Sequence, residues 1–258
     1  MAGAVVLLVA ADIIRETPFF SFTAADGIKH ELWKAGDKSV ALARLFADAV
    51  PCFYIADGHH RAASAARAAR TCRAANPDHT GNEEYNYFLA VAFPADQLRI
   101  LPYNRAVKDL NGLTEAEFLA KIANDFDVAE TSSKSPERSG TFRMYLGGKW
   151  YALTPKFAFD GLSVTACLDV SILQDRVLGP ILGIDDPRTN ARIDFIGGIR
   201  GTGELERLCA EGLAAVCFSM YPTTLDQLMA IADAGSIMPP KSTWFEPKLR
   251  DGLVSHDF

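Results

Sequence analysis

The sequence predicts an α/β protein with a mixed sheet and flanking helices. Short β-branched and aromatic runs bounded by Gly, Pro and Asp recur along the chain, as strands do. Amphipathic or alanine-rich stretches of helical length lie between them. The last third reads strand, helix, strand, helix, the signature of an α/β unit. With 258 residues, 49% of them hydrophobic and 22% charged, the chain can bury a sizeable core in one large domain or two smaller ones. The expected division is a motif-bearing core over residues 1–130 and a C-terminal βαβα portion over 131–258, which together can also form one continuous domain.

From the N-terminus, Val5 to Phe22 reads as one or two strands broken at Pro18. Asp26-Gly27 then turns a hairpin into the alternating run Ile28 to Trp33. Ser39 to Asp48 carries Val40, Leu42, Leu45 and Phe46 at helical spacing. Cys52 to Ala56 reads as a short buried strand, and the alanine-rich segment Ala62 to Ala75 after the motif as a helix. A polar loop spans Asn76 to Asn86, followed by a strand over Tyr87 to Phe93 and a short one over Leu98 to Leu101. Thr114 to Phe126 is an amphipathic helix with Thr114 and Glu117 spaced as a capping box. Phe142 to Leu146 and Trp150 to Leu153 form a hairpin around Gly147-Gly148. Leu168 to Val177 is a helix ended before Gly179-Pro180. Arg192 to Ile196, Thr202 to Glu211, Ala214 to Met220 and Thr224 to Ala234 complete the alternation of strand and helix.

Composition narrows the function. A net charge of -6 disfavours nucleic acid as a partner. The five cysteines, Cys52, Cys72, Cys167, Cys209 and Cys217, are odd in number and include no C-x-x-C pair. This argues against a disulfide framework or a cysteine zinc site and for a reducing cytoplasm. The apolar start, Ala4 to Ala11, has no basic flank and is too short to span a bilayer.

The most specific chemistry lies in Asp57-Gly58-His59-His60-Arg61, at the point where the strand from Cys52 should give way to a helix. A helix start exposes N–H groups and a positive dipole end, so a phosphate suits this turn. The same residues also fit a plain Asp-Gly turn with Asp57 as N-cap and a solvated first turn behind it. Zinc suits the pair of histidines poorly, because adjacent helical residues point about 100° apart, and His30, His79 and His256 lie at no zinc-ligand spacing. Ser64 lacks a nucleophile elbow.

Three further clusters join the list of candidates. Met238-Pro239-Pro240-Lys241-Ser242-Thr243 places a cation and two hydroxyls after a rigid diproline, either to grip a phosphate or merely to end a helix. Gly197-Gly198-Ile199-Arg200-Gly201-Thr202-Gly203 is glycine-rich but off the dinucleotide spacing, so a tight turn competes with a phosphate loop around Arg200. Arg105, in Leu101-Pro102-Tyr103-Asn104-Arg105, can bind an anion or pair with a surface acid.

Taken together, Tyr54 to Arg61, Leu101 to Arg105 and Met238 to Lys248 resemble the bacterial and archaeal family catalogued as domain of unknown function 1015, over essentially the whole chain. That family's D-G-H-H-R element is similar to the motif of the ParB-like superfamily, which includes CTP-binding partition proteins and free-serine kinases. The resemblance implies phosphoryl transfer from a small-molecule donor, pyrophosphate or a nucleotide, to free serine or a similar hydroxyl compound, with Mg²⁺ as cofactor. It implies His59, His60 and Arg61 on the donor phosphates, Gly58 binding phosphate or substrate in the same turn, and Asp57 on the metal or the substrate hydroxyl. Arg105, Arg200, Lys241, Ser242 and Thr243 would grip a second phosphate or the substrate, with the site formed where the Asp57 turn meets the Lys241 segment. Asn104 stands where relatives commonly carry histidine, and relatives begin with a further segment that completes the site. The alternative expectations are a ParB-like nucleotide-binding module without turnover, or a truncated inactive member.

Overall fold

A computed structural model of the chain describes residues 2–248, 250 and 252–257. The class is α/β, and the chain divides into two compact units, Met1–Pro94 and Ala95–Asp257.

The first unit contains α1 (Ala2–Ile13), the hairpin of β1 (Phe20–Thr23) and β2 (Lys29–Leu32), α2 (Ser39–Ala49) and α3 (His59–Ala75). The hairpin pairs Phe20 with Leu32 and Thr23 with Lys29. Its turn uses Gly27 at φ 80° and an Asp26 carboxylate that accepts the Ile28 N–H at 3.1 Å, the Asx geometry expected of Asp-Gly. Three strand expectations fail here. Residues 4–11 are helical, because a continuous apolar run has no period to separate strand from helix and its length decides. Cys52 to Ala56 and Tyr87 to Phe93 enter no ladder. Phe53, Ile55, Tyr87, Phe88, Leu89 and Val91 are exposed instead of buried. A strand exists only when its backbone groups find a neighbour, and these two segments find none among the described residues. Ile13 is the one buried side chain described in this unit.

The loop from Asn76 to Asn86 is held from within. The Glu83 carboxylate accepts the Thr80 N–H at 2.5 Å, the Thr80 hydroxyl at 2.8 Å and the Gly81 N–H at 2.9 Å. Those bonds, the Thr80 N–H foremost, bring its pKa down to about 2.

The second unit is built on a six-stranded sheet. Along the chain come β3 (Arg99–Leu101), β4 (Tyr103–Val107), α4 (Glu115–Ile122), β5 (Phe126–Glu130), β6 (Phe142–Leu146), β7 (Lys149–Pro155), α5 (Asp169–Leu173), β8 (Ile193–Gly197), α6 (Gly203–Ala210), β9 (Val216–Ser219), α7 (Leu225–Asp233) and β10 (Trp244–Glu246). The sheet order is β5-β7-β6-β9-β4-β8, and β3 pairs separately with β10. Every ladder is antiparallel. Because β8 and β9 both run antiparallel to β4, they run parallel to each other, and α6 is the crossover that parallel strands require.

Alternation along the central strands divides the core. Val107, Met144, Val216 and Phe218 face the larger cluster, with Phe118, Phe126, Phe142 and Leu153. Ala106 and Cys217 face a smaller one with Trp150, Ile196 and Leu205. Burial on both faces is why β9 reads Val-Cys-Phe-Ser without polar alternation. The capping box forms at Thr114, whose hydroxyl accepts the Glu117 N–H. The helix ends earlier than its apolar stripe suggests, at Ile122, and Phe126 opens β5. A second capping box, Thr224 with Gln227, starts α7.

Asp169 ties the elements of this unit together. Its Oδ1 accepts the Ser139 hydroxyl at 2.7 Å and the Gly140 N–H at 2.8 Å, while Gln227 of α7 donates to Ser139 Oγ at 3.4 Å. Its Oδ2 is buried and has no partner among the described residues. Desolvation therefore raises its pKa above 3.8, against the two hydrogen bonds. A raised carboxyl pKa means that the stability contributed at low pH is lost as pH rises from about 3.8 through the folded value. Asp169→Asn is expected to remove that dependence. The urea midpoint at pH 7 minus that at pH 4 should therefore be more positive in the variant than in the parent.

Candidate functional site

In the first unit, the Asp57–Arg61 turn is an open helix start. Gly58 occupies the N-cap at φ 84° and ψ 27°, a left-handed conformation, and as a glycine it supplies no side-chain cap. The Asp57 N-cap alternative is therefore excluded. The N–H groups of His59, His60 and Arg61 lie in the first helical turn, where no carbonyl of the helix can reach them. The first turn also carries no acidic residue, so the positive dipole end is not neutralised from within. Arg61 folds back over the turn: a Cβ on Gly58 would come within 3.0 Å of its Nε and Nη2. Its guanidinium stands 3.8 Å from Asp57 Oδ2, with both side chains largely exposed. An exposed pair of that kind contributes little stability. His59 and His60 are exposed as well.

In the second unit, three of the sequence clusters converge. Arg105 is 3% exposed. Its Nη1 donates to the Tyr103 carbonyl at 2.5 Å and its Nη2 to the Lys241 carbonyl at 3.1 Å. Its guanidinium also stacks 4.6 Å from the Phe195 ring centroid. Among the described residues no Asp or Glu pairs with it. Burial draws its pKa down to about 9, which leaves it a cation at neutral pH. Desolvated cations are costly unless paired, so this residue concentrates positive potential beneath the segment that it holds.

That segment is Lys241 to Thr243. Lys241 adopts φ 55°, rare for a residue with a side chain, and its Nζ lies 5.7 Å from the Tyr103 ring centroid. Ser242 is buried and donates its hydroxyl to the Pro239 carbonyl at 2.6 Å. The Ser242 carbonyl accepts the Thr223 hydroxyl at 3.0 Å. Ser242 thus shapes the turn that presents Lys241, while Thr243 is half-buried beside it. The two glycines of the Gly197 loop have a packing reason. A Cβ on Gly197 would sit 2.5 Å from the Trp244 ring, and one on Gly198 would sit 2.6 Å from Pro102 Cδ. The loop is the bed of the Trp244 segment.

Arg200, further along that loop, stands 3.5 Å from Glu204. It lines a cleft of about 470 Å³ with Lys108, Asp194, Glu204 and Arg207. Sequence reasoning singled out Arg200 and missed its companions. Asp194 is exposed on β8 between buried Ile193 and half-buried Phe195, and that alternation was the available signal. Among the described residues, no helix is long and apolar enough to cross a membrane.

Comparison with known proteins places the chain. The family model described as "Protein of unknown function (DUF1015)" matches residues 5–171. The chain belongs to that family. The DUF1015 match spans the Asp57–Arg61 turn and the Leu101–Arg105 segment. No curated protein matches. Among solved structures, a mutant of free serine kinase in complex with AMP is similar at 16% identity and TM-score 0.42, over 74% of this chain and 66% of that one. Free serine kinase in complex with AMP gives 14% and 0.42 over 95% and 78%. A conserved hypothetical protein from Pyrococcus furiosus gives 14% and 0.38 over 74% and 68%. This DUF1015 chain thus spans 66% of the length of the first of these structures.

Proposed function

We propose that the chain transfers a phosphoryl group to a small hydroxyl compound, free serine giving O-phosphoserine, with pyrophosphate or a nucleotide as donor. The observation that carries this reading is the uncapped start of α3, with Gly58 left-handed and Arg61 folded over it. Phosphoryl transfer asks little covalent chemistry of a protein. It asks for oxygen charge to be neutralised and for the two reactants to be held in line. The N–H groups of His59, His60 and Arg61 would receive donor oxygens, and the Arg61 guanidinium would lie over them. In the second unit, Lys241 on its strained turn, above buried Arg105, is a further cationic grip for a phosphate.

Mg²⁺ fits this donor set in one way. Among the described residues, no three of His, Cys, Asp and Glu gather as a metal cluster, but Mg²⁺ needs only one or two carboxylates when phosphates supply other ligands. Asp57 would hold the ion, which when bound neutralises charge on the donor oxygens. The five free thiols suit a reducing cytoplasm.

The test is incubation of the purified protein with Mg²⁺ and serine, with pyrophosphate in one arm and ATP in another. The expected result is O-phosphoserine in one arm, read by phosphorus NMR. No phosphoserine in either arm overturns the reading.

A further inference from the structure

Two thiols of the second unit meet in a position that the phosphoryl-transfer reading does not use. Cys209 Sγ, near the end of α6, lies 3.5 Å from Cys217 Sγ in the middle of β9. Cys217 is fully buried and its Sγ also lies 3.6 Å from the Leu205 carbonyl of α6. Cys209 is half-buried. The short turn after α6 returns the chain directly into β9, and the Leu213 and Ala214 N–H groups both donate to the Leu208 carbonyl at 2.9 and 3.1 Å. The two sulfurs are therefore held in contact by local backbone geometry. A disulfide needs them to close to about 2.05 Å, which rotation of the two side chains and a small shift of the end of α6 can supply.

We propose that Cys209 and Cys217 form a dithiol site that hydroperoxides oxidise to an intramolecular disulfide. The two residues have different parts. Cys209 is the accessible partner, and the hydrogen bond from Cys217 lowers its thiol pKa. Cys217 is raised by that same bond and then by burial, so it is the slower, resolving partner. The Cys209 thiolate attacks the terminal peroxide oxygen, the O–O bond breaks, and the departing alkoxide, or hydroxide from hydrogen peroxide, takes the proton that the Cys209 thiol released to become an alcohol or water. Cys209 is then a sulfenic acid. The Cys217 sulfur attacks the Cys209 sulfur, the S–O bond breaks, and the leaving hydroxide takes the Cys217 proton to become water. Two thiols lose two electrons, and one peroxide gains them.

The disulfide would fasten α6 to the sheet. Glu204 and Arg207 of that helix line the cleft that also holds Lys108, Asp194 and Arg200, so the crosslink fixes one wall of it.

The sequence makes the test direct. Arg207 and Lys241 bracket one tryptic peptide that contains both thiols, and Glu211 lies between them. The native protein is treated with stoichiometric hydrogen peroxide, alkylated with N-ethylmaleimide and digested with trypsin. The expected result is a peptide 208–241 lighter by two hydrogens and unalkylated, whose halves stay joined after cleavage at Glu211, and which regains both alkylation sites after dithiothreitol. Cys209→Ser should lose the crosslink while keeping the thermal transition of the second unit. Separate alkylation of both thiols after exposed Cys52 has been oxidised would overturn the proposal. So would accumulation of sulfinic acid on Cys209 with Cys217 still reduced.

Discussion

Arg61→Ala is expected to lower phosphoserine formation by about 10²- to 10³-fold, the usual consequence of removing one preorganised donor from a developing charge. The same change should leave stability within about 0.5 kcal/mol, as surface substitutions do. Its side chain is 79% exposed, and its pairing with Asp57 spans 3.8 Å in solvent, so little folding energy depends on it. Alanine in the first turn of a helix is also well tolerated. Steady-state rates at saturating serine check the prediction, and Arg61→Lys separates charge from shape, since lysine restores the cation but not the planar fork. Gly58→Ala is the companion variant. It must place a Cβ 3.0 Å from the Arg61 guanidinium in a left-handed backbone conformation, so it should displace Arg61 and lower the rate by itself. A normal rate in Arg61→Ala would remove this residue from the site.

What the sequence makes legible here is whatever local chemistry determines. Gly147 and Gly148, at φ 55° and 79°, turn β6 into β7 where a Gly-Gly pair between two apolar runs predicts it. Both capping boxes form from residues three apart. Segments that depend on distant partners are read poorly. Cys52 to Ala56 and Tyr87 to Phe93 have strand composition but gain no ladder among the described residues, and β4 is hidden in the sequence because Asn104 and Arg105 interrupt its apolar run. Both polar residues reach neighbours that are distant in sequence. Asn104 accepts the Met220 N–H at 3.0 Å, and Arg105 reaches Lys241 far along the chain. The candidate site divides in the same way. The helix start at His59 follows from Asp-Gly and alanine alone, whereas the roles of Ser242 as a turn former and of Gly197 as a bed for Trp244 exist only once the chain has folded.

The two units should also respond very differently to loss of a phenyl ring. Phe218→Ala is expected to destabilise the second unit by about 3–5 kcal/mol, the cost of a cavity in a close-packed interior. Phe218 is fully buried in the central strand β9, opposite Arg105 on one side and Met144 on the other. Phe53→Ala, by contrast, should change stability by no more than about 0.5 kcal/mol, because Phe53 is 64% exposed. Hydrogen exchange followed peptide by peptide across a urea series assigns each effect to its unit. With so little buried apolar surface among the described side chains of residues 1–94, their amides should also exchange well before those of β4, β6 and β9. A loss of several kcal/mol in Phe53→Ala would reverse this argument, since a ring that stabilises by that much is covered in solution.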